Sequence, residues 1–263
     1  MCRWIAYKGL PVPLESIVCA PRHSLIAQSQ RAAECKTPTN GDGFGLGWYG
    51  EHDEPGVYHE ILPAWSDENL RHIARHVRSR FFFAHVRAST GTPTSRVNCH
   101  PFTHGKWLFM HNGQIGAYSE LRRKIEGMIP DKVYASRQGT TDSEAIFLAA
   151  FARGLEHDPV AAITATLCEI NNHMRACDTK ESLRFTAALA NGRDLYAFRY
   201  ASDEAPPSLY YKQGIDGLMV VSEPIDDERD LWLPVPAGHV LIARDGKPVE
   251  LQEFSRALKR AAA

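Results

Sequence analysis

The centre of the chain is helical and both flanks are strand, and this switch constrains the fold most. Residues 119–129, "SELRRKIEGMI", and residues 142–154, "DSEAIFLAAFARG", read as helices, and a third opens at Asp158 with Pro159 in its first turn. Ser119 and either Thr140 or Thr141 are the expected caps, and Gly154 closes the second helix. Beyond this block the pattern changes to hairpins. "SLRFTAALANGRDLYAFRY" turns at Asn191-Gly192, and "GHVLIARDGKPVEL" turns at Asp245-Gly246. "SLYYKQG" and "GLMVVSEPI" supply further strands. Ahead of the block, residues 3–7 and 81–87 read as strands, and "NGDGFGLGWYG" as a turn entering a glycine-broken strand. Residues 8–40 read as loop, with prolines at 11, 13, 21 and 38 as breakers. "SDENLRHIARHVRSR" is an amphipathic helix with Ser66 as its expected cap. "KWLFMHNGQI" is a strand expected to end in a turn at Asn112-Gly113. The class is α+β with mainly antiparallel sheets, and one domain over residues 1–263 is the simplest organisation.

Charge narrows the function. Thirty basic and 31 acidic residues leave a net charge of −1, without the basic footprint of a nucleic-acid or membrane-surface binder. No apolar run reaches the ~18 residues that span a bilayer, and no secretory signal opens the chain. The six cysteines include no C-x-x-C pair, so reduced thiols and a cytoplasmic location are expected. His72 and His76 stand four apart without a third ligand nearby, and Pro101 between His100 and His104 argues against a helical metal pair there, so no metal is expected, and no other cofactor is.

Five short stretches carry chemistry. "MCRW" places Cys2 behind the initiator methionine, and trimming would leave one residue holding both a thiol and an α-amine base. "HNG" at 111–113 is either an ordinary turn or an oxyanion hole, built from the Asn112 amide and the backbone N–H of Gly113. "HVRAST" at 85–90 ends a strand in Arg87, whose fork matches a carboxylate, with Thr90 or Ser89 as a further hydroxyl donor. In "TTDSEAIF", Asp142 suits the start of a helix and equally suits a substrate ammonium. "NGDGFGLG" fits neither the dinucleotide nor the P-loop fingerprint, and Asp42 and Gly43 read as possible pocket residues, with His111 and the Glu223 of "VSEP".

In this order, Cys2, "DGFG", "HVRAST", "HNG" and "TDSE" resemble the class II, N-terminal-nucleophile glutamine amidotransferases. "MCR", "HPF", "WLFMHNG" and "VSEP" are similar to the short standalone members, including the γ-glutamyl hydrolases of the ergothioneine pathway. The resemblance implies a four-layer αββα sandwich. It implies Cys2 as nucleophile, Asn112 and Gly113 as oxyanion hole, Arg87 and Thr90 at the substrate α-carboxylate, and Asp142 at its α-ammonium. Ala88 stands where synthetase-linked members often carry Trp, and 263 residues leave no room for an acceptor domain.

The implied reaction is hydrolysis of a γ-glutamyl amide through a thioester on Cys2. Glutamine would yield glutamate and ammonia, which a separate synthetase partner could accept. A larger leaving amine would make the chain a γ-glutamyl peptide hydrolase. A catalytically silent amino-acid-binding module is a third reading. A papain-like protease fits least, because "CRWIAY" reads as strand where that chemistry needs a helix behind its cysteine.

Overall fold

The structure is a computed structural model that describes residues 2–34, 39–89 and 91–260. The first strand, β1 (Arg3–Pro13), runs past the short stretch expected of it. Its pairing with the neighbouring strand shifts register between Lys8 and Val12, and such an irregularity accommodates Pro11 and Pro13. The segment read as loop thus begins as strand and continues into two short helices, α1 (Glu15–Val18) and α2 (Leu25–Gln30). The hairpin β2 (Phe44–Trp48) and β3 (Gly56–Glu60) follows. Next comes α3 (Glu68–His76), where Asp67 rather than Ser66 is the cap: its carboxylate accepts the Leu70 N–H at 2.7 Å. The chain leaves this helix at Val77 to form β4 (Arg78–Val86).

The second half follows the expected switch. β5 (Phe102–His104) and β6 (Trp107–Gln114) lead into α4 (Tyr118–Glu126), α5 (Asp131–Tyr134), α6 (Asp142–Ala150) and α7 (Pro159–Ala176). Thr141 caps α6 and Asp158 caps α7, as read. α4 starts one residue before Ser119, from an Ala117 at φ 54° with no side-chain cap. Then come β7 (Arg184–Ala190), β8 (Leu195–Ala201), β9 (Tyr210–Gln213), β10 (Gly217–Val221), β11 (Leu233–Pro234), β12 (His239–Ala243), β13 (Glu250–Glu253) and α8 (Ser255–Arg260).

The strands form two sheets, ordered β11-β9-β10-β1-β4-β2-β3 and β13-β12-β8-β7-β6-β5. Every strand pair among the described residues is antiparallel. Side chains alternate between faces along a strand, which sorts the core into three layers. Trp4, Phe81, Phe83, Leu108 and Met110 pack between the sheets. Ile5, Phe82 and Val86 face α1–α3, while Phe109, Phe185 and Phe198 face α4 and α6–α8. The result is the four-layer αββα sandwich, with β1 central in one sheet and β6 close to the edge of the other.

Candidate active site

Cys2 stands one residue before β1, between β4 and β10. Its Sγ accepts the Ala88 N–H at 3.4 Å and lies 3.6 Å from the Ala88 carbonyl. The half-buried thiol opens into a cavity of about 490 Å³, whose wall includes Arg87, Gly113, Asp142, Tyr118 and Glu181. Residues from the ends of β1, β4 and β6 and from the first turn of α6 thus meet at one end of the sandwich.

Arg87 follows β4 and is 3% exposed. Its backbone is tied to the segment before β2: Arg87 N–H donates to Gly43 O at 2.8 Å, and Asp42 N–H to Arg87 O at 3.0 Å. Nη2 donates to Thr92 Oγ1 at 2.6 Å, to Ser89 Oγ at 3.2 Å and to Pro93 O at 3.3 Å. Asp42 accepts the Ser89 N–H at 2.7 Å. Asp42 and Gly43 therefore lie outside the cavity wall and hold the Arg87 loop in place. Gly43 has φ 109°, and a Cβ there would press on Cys99 Sγ and Glu60 O. The 92–98 segment is fixed at its far end by Asn98, whose Nδ2 donates to Pro93 O at 2.9 Å and whose Oδ1 accepts the Thr140 N–H at 2.8 Å. Thr90 lies outside the described residues.

The "HNG" stretch is not a turn. β6 continues through it, with Asn112 paired to Thr186 and Gly113 to Phe185. A Cβ at 113 would collide with the Arg184 carbonyl, so glycine permits the close approach of β7. Asn112 is 2% exposed, and its Nδ2 has no hydrogen-bond partner among the described residues. It is absent from the cavity wall, while His111 and Gly113 on either side belong to it. His111 Nε2 is 3.1 Å from the Arg184 carbonyl, which can only accept, so this nitrogen carries the proton. Nδ1 is then left to accept from the Ser143 hydroxyl at 2.8 Å. Burial holds the imidazole below its ordinary pKa, against the opposing pull of Asp142.

Asp142 opens α6, where a carboxylate suits the helix dipole. Its Oδ2 accepts the Ile115 N–H and its Oδ1 the Ser143 N–H, each at 2.8 Å. Glu223 lies behind Cys2 rather than in the wall, in an ion pair with Arg3 at 3.1 Å. The sequence alone assigns no role to Arg3, Ser143 or His85. His85 and His100 pack ring against ring at 4.3 Å between centroids, tilted by 30°; His100 belongs to the cavity wall, and neither of its ring nitrogens has a hydrogen-bond partner among the described residues. Burial, with Arg87 adding to it, pushes His85 down to about 3 and His100 well below its ordinary value. The available signal was a polar residue inside the apolar run "FFFAHV". Among the described residues no group of three or more His, Cys, Asp or Glu is placed to hold a metal, and no helix is long and apolar enough to cross a membrane.

Comparison with known proteins gives consistent matches. Residues 17–211 match the family described as class-II glutamine amidotransferases, a stretch that begins after Cys2. The chain is 33% identical over 292 aligned positions to a probable glutamine amidotransferase, DUG3, of Saccharomyces cerevisiae, covering 92% of this chain and 81% of that protein. It is 29% identical to a gamma-glutamyl-hercynylcysteine sulfoxide hydrolase of Mycolicibacterium smegmatis, covering 95% and 98% of the two chains. Among solved structures, a glutamine aminotransferase class-II domain protein from Silicibacter pomeroyi superposes with a TM-score of 0.77 at 37% identity, over 96% of this chain and 99% of that one.

Proposed function

Because the chain belongs to the class II glutamine amidotransferases, we propose that it hydrolyses a γ-glutamyl amide with Cys2 as nucleophile. The observation that carries this reading is that Cys2, Arg87, Gly113 and Asp142, four residues far apart in sequence, share one cavity wall. Removal of Met1 gives Cys2 a free α-amine, which takes the thiol proton. Sγ attacks the γ-carbonyl carbon, and Asn112 Nδ2 and the Gly113 N–H receive the developing oxyanion. The α-ammonium gives that proton to the leaving nitrogen as the C–N bond breaks, releasing the amine and leaving a γ-glutamyl thioester. Water then adds to the thioester, glutamate leaves, and the thiol is restored. That Asn112 Nδ2 has no partner among the described residues supports the oxyanion role, since a buried donor without an acceptor costs about 1–3 kcal/mol unless something meets it.

Arg87 takes the substrate α-carboxylate, aided by Thr90 on the family likeness alone, and Asp142 takes the α-ammonium. Neutral His111 and its Ser143 partner brace the turn that presents Asp142. Strands from both ends of the chain share the β1 sheet, which supports reading residues 1–263 as one domain.

A leaving amine larger than ammonia is the second reading, on cavity size alone: about 490 Å³ falls within the range of about 300–1,000 Å³ that encloses drug-sized ligands. The test is glutamate release from glutamine and from γ-glutamyl dipeptides. A higher kcat/KM on the dipeptides supports the larger amine. Preference for glutamine returns the reading to ammonia release, toward a separate synthetase partner. Binding of both without turnover leaves the silent module.

A further inference from the structure

Arg3 and Glu223 are 0% and 4% exposed and form an ion pair directly behind Cys2, outside the cavity wall. Arg3 shares the face of β1 that carries Ile5 and Tyr7, packed against α1–α3. An apolar side chain would fill such a place without the desolvation cost of a buried charge pair, which is weak as a source of stability. Both side chains nevertheless reach several backbone groups, although Arg3 Nε meets Glu223 as an ion-pair contact without a hydrogen bond among the described residues. Glu223 Oε1 accepts the Ala33 N–H at 2.9 Å, and Oε2 accepts the Glu34 N–H at 3.0 Å. Arg3 Nη2 donates to the Glu34 carbonyl, and Nη1 to the Cys2 carbonyl at 3.4 Å. The backbone of residues 223 and 224 is in turn fixed by Gln28, whose Nε2 donates to both carbonyls at 3.2 Å.

We propose that Arg3 and Glu223 are positioning residues for Cys2: the guanidinium, oriented by Glu223, fixes the Cys2 peptide and thereby the direction of the thiol and the α-amine. The proposal rests on Cys2 being the nucleophile. Cys2 precedes β1, so rotation about its Cα–C bond decides where the amine lies relative to the cavity, and the carbonyl contact restricts that rotation. A misplacement near 1 Å is enough to cost about 10²-fold in rate. A rival role is anchorage alone, in which the pair pins residues 33–34 to β10 and Cys2 is indifferent to it.

Two readouts on Glu223→Gln, Arg3→Lys and the milder Glu223→Asp separate these roles. The first is steady-state hydrolysis of γ-glutamyl p-nitroanilide. The second is the pH profile of iodoacetamide alkylation at Cys2, read by mass on the N-terminal peptide and therefore independent of any substrate. A positioning role predicts a fall in kcat of tenfold or more with KM within about twofold, and an alkylation profile displaced from that of the wild type. Anchorage alone predicts a lower unfolding temperature with kcat and the profile unchanged in the folded protein, and that result overturns the proposal. If Glu223→Gln does not fold, Glu223→Asp and Arg3→Lys decide by the same readouts. If the wild type cleaves no γ-glutamyl amide, the proposed function fails. The alkylation profile then decides the positioning role alone: displacement supports it and identity overturns it.

Discussion

Asn112 and Arg87 do different work at the residue scale, and kinetics separates them. Asn112 Nδ2 is a buried donor with no acceptor among the described residues, whereas the Arg87 guanidinium is bonded to Thr92, Ser89 and Pro93. An oxyanion donor acts as charge develops, so Asn112→Ala is expected to lower kcat by about 10²–10³ with little change in KM. A pure KM effect would assign it to ground-state binding. Arg87→Lys keeps the charge but loses the planar fork, and one ammonium cannot serve both Thr92 and a carboxylate. KM is expected to rise at least tenfold, and an unchanged KM would remove Arg87 from the carboxylate site. The sequence made the residue types at this site legible, because Cys2, Arg87 and Asp142 have plain chemical roles. It did not make their directions legible. Glu223 follows a strand much as Arg87 does, yet one turns behind the nucleophile and the other into the cavity wall.

At the scale of elements, the same dipeptide has two fates. Asn191-Gly192 makes the β7–β8 turn with Gly192 at φ 85°, as its flanking strands announce. Asn112-Gly113 continues through a ladder, because β7, some 70 residues later in sequence, supplies the partner. No local pattern distinguishes them. Long-range pairing decides, and it overrode the turn reading at 112–113 and the proline signals at 11 and 13. Capping signals, being local, match at Asp158 and at Thr141, one of the two threonines offered, but miss by one residue at Asp67 and fail at Ser119, where α4 opens without a side-chain cap. The two glycines should respond differently to alanine. Gly192→Ala places a Cβ in a left-handed turn far from the cavity, and is expected to cost about 1–2 kcal/mol of stability while leaving kcat intact. Gly113→Ala drives a Cβ into the Arg184 carbonyl, so β6 and β7 must part beside the cavity. Thermal unfolding and turnover should both fall there. A fully active Gly113→Ala would refute the need for this close approach.

The whole molecule carries neutral histidines at the functional end of the sandwich. His85, His100 and His111 are buried, and burial holds all three below the ordinary imidazole pKa. Their unfolded forms take up protons below pH about 6.5, while the folded forms do not until lower pH. The unfolded state therefore binds more protons in that window, and stability present above it is lost as pH falls. The slope reaches about 1.4 kcal/mol per pH unit for each fully engaged histidine. Unfolding temperatures between pH 7.5 and 5 should drop steeply, and less steeply in His85→Phe; equal slopes would mean that His85 does not contribute.

The most direct test of the site is the mass of the N-terminal peptide after incubation with 6-diazo-5-oxo-L-norleucine, a glutamine-like electrophile. The expected peptide lacks Met1 and carries one adduct on Cys2, and excess glutamate suppresses the labelling. A processed peptide left unmodified while another cysteine takes the label would contradict Cys2 as the nucleophile.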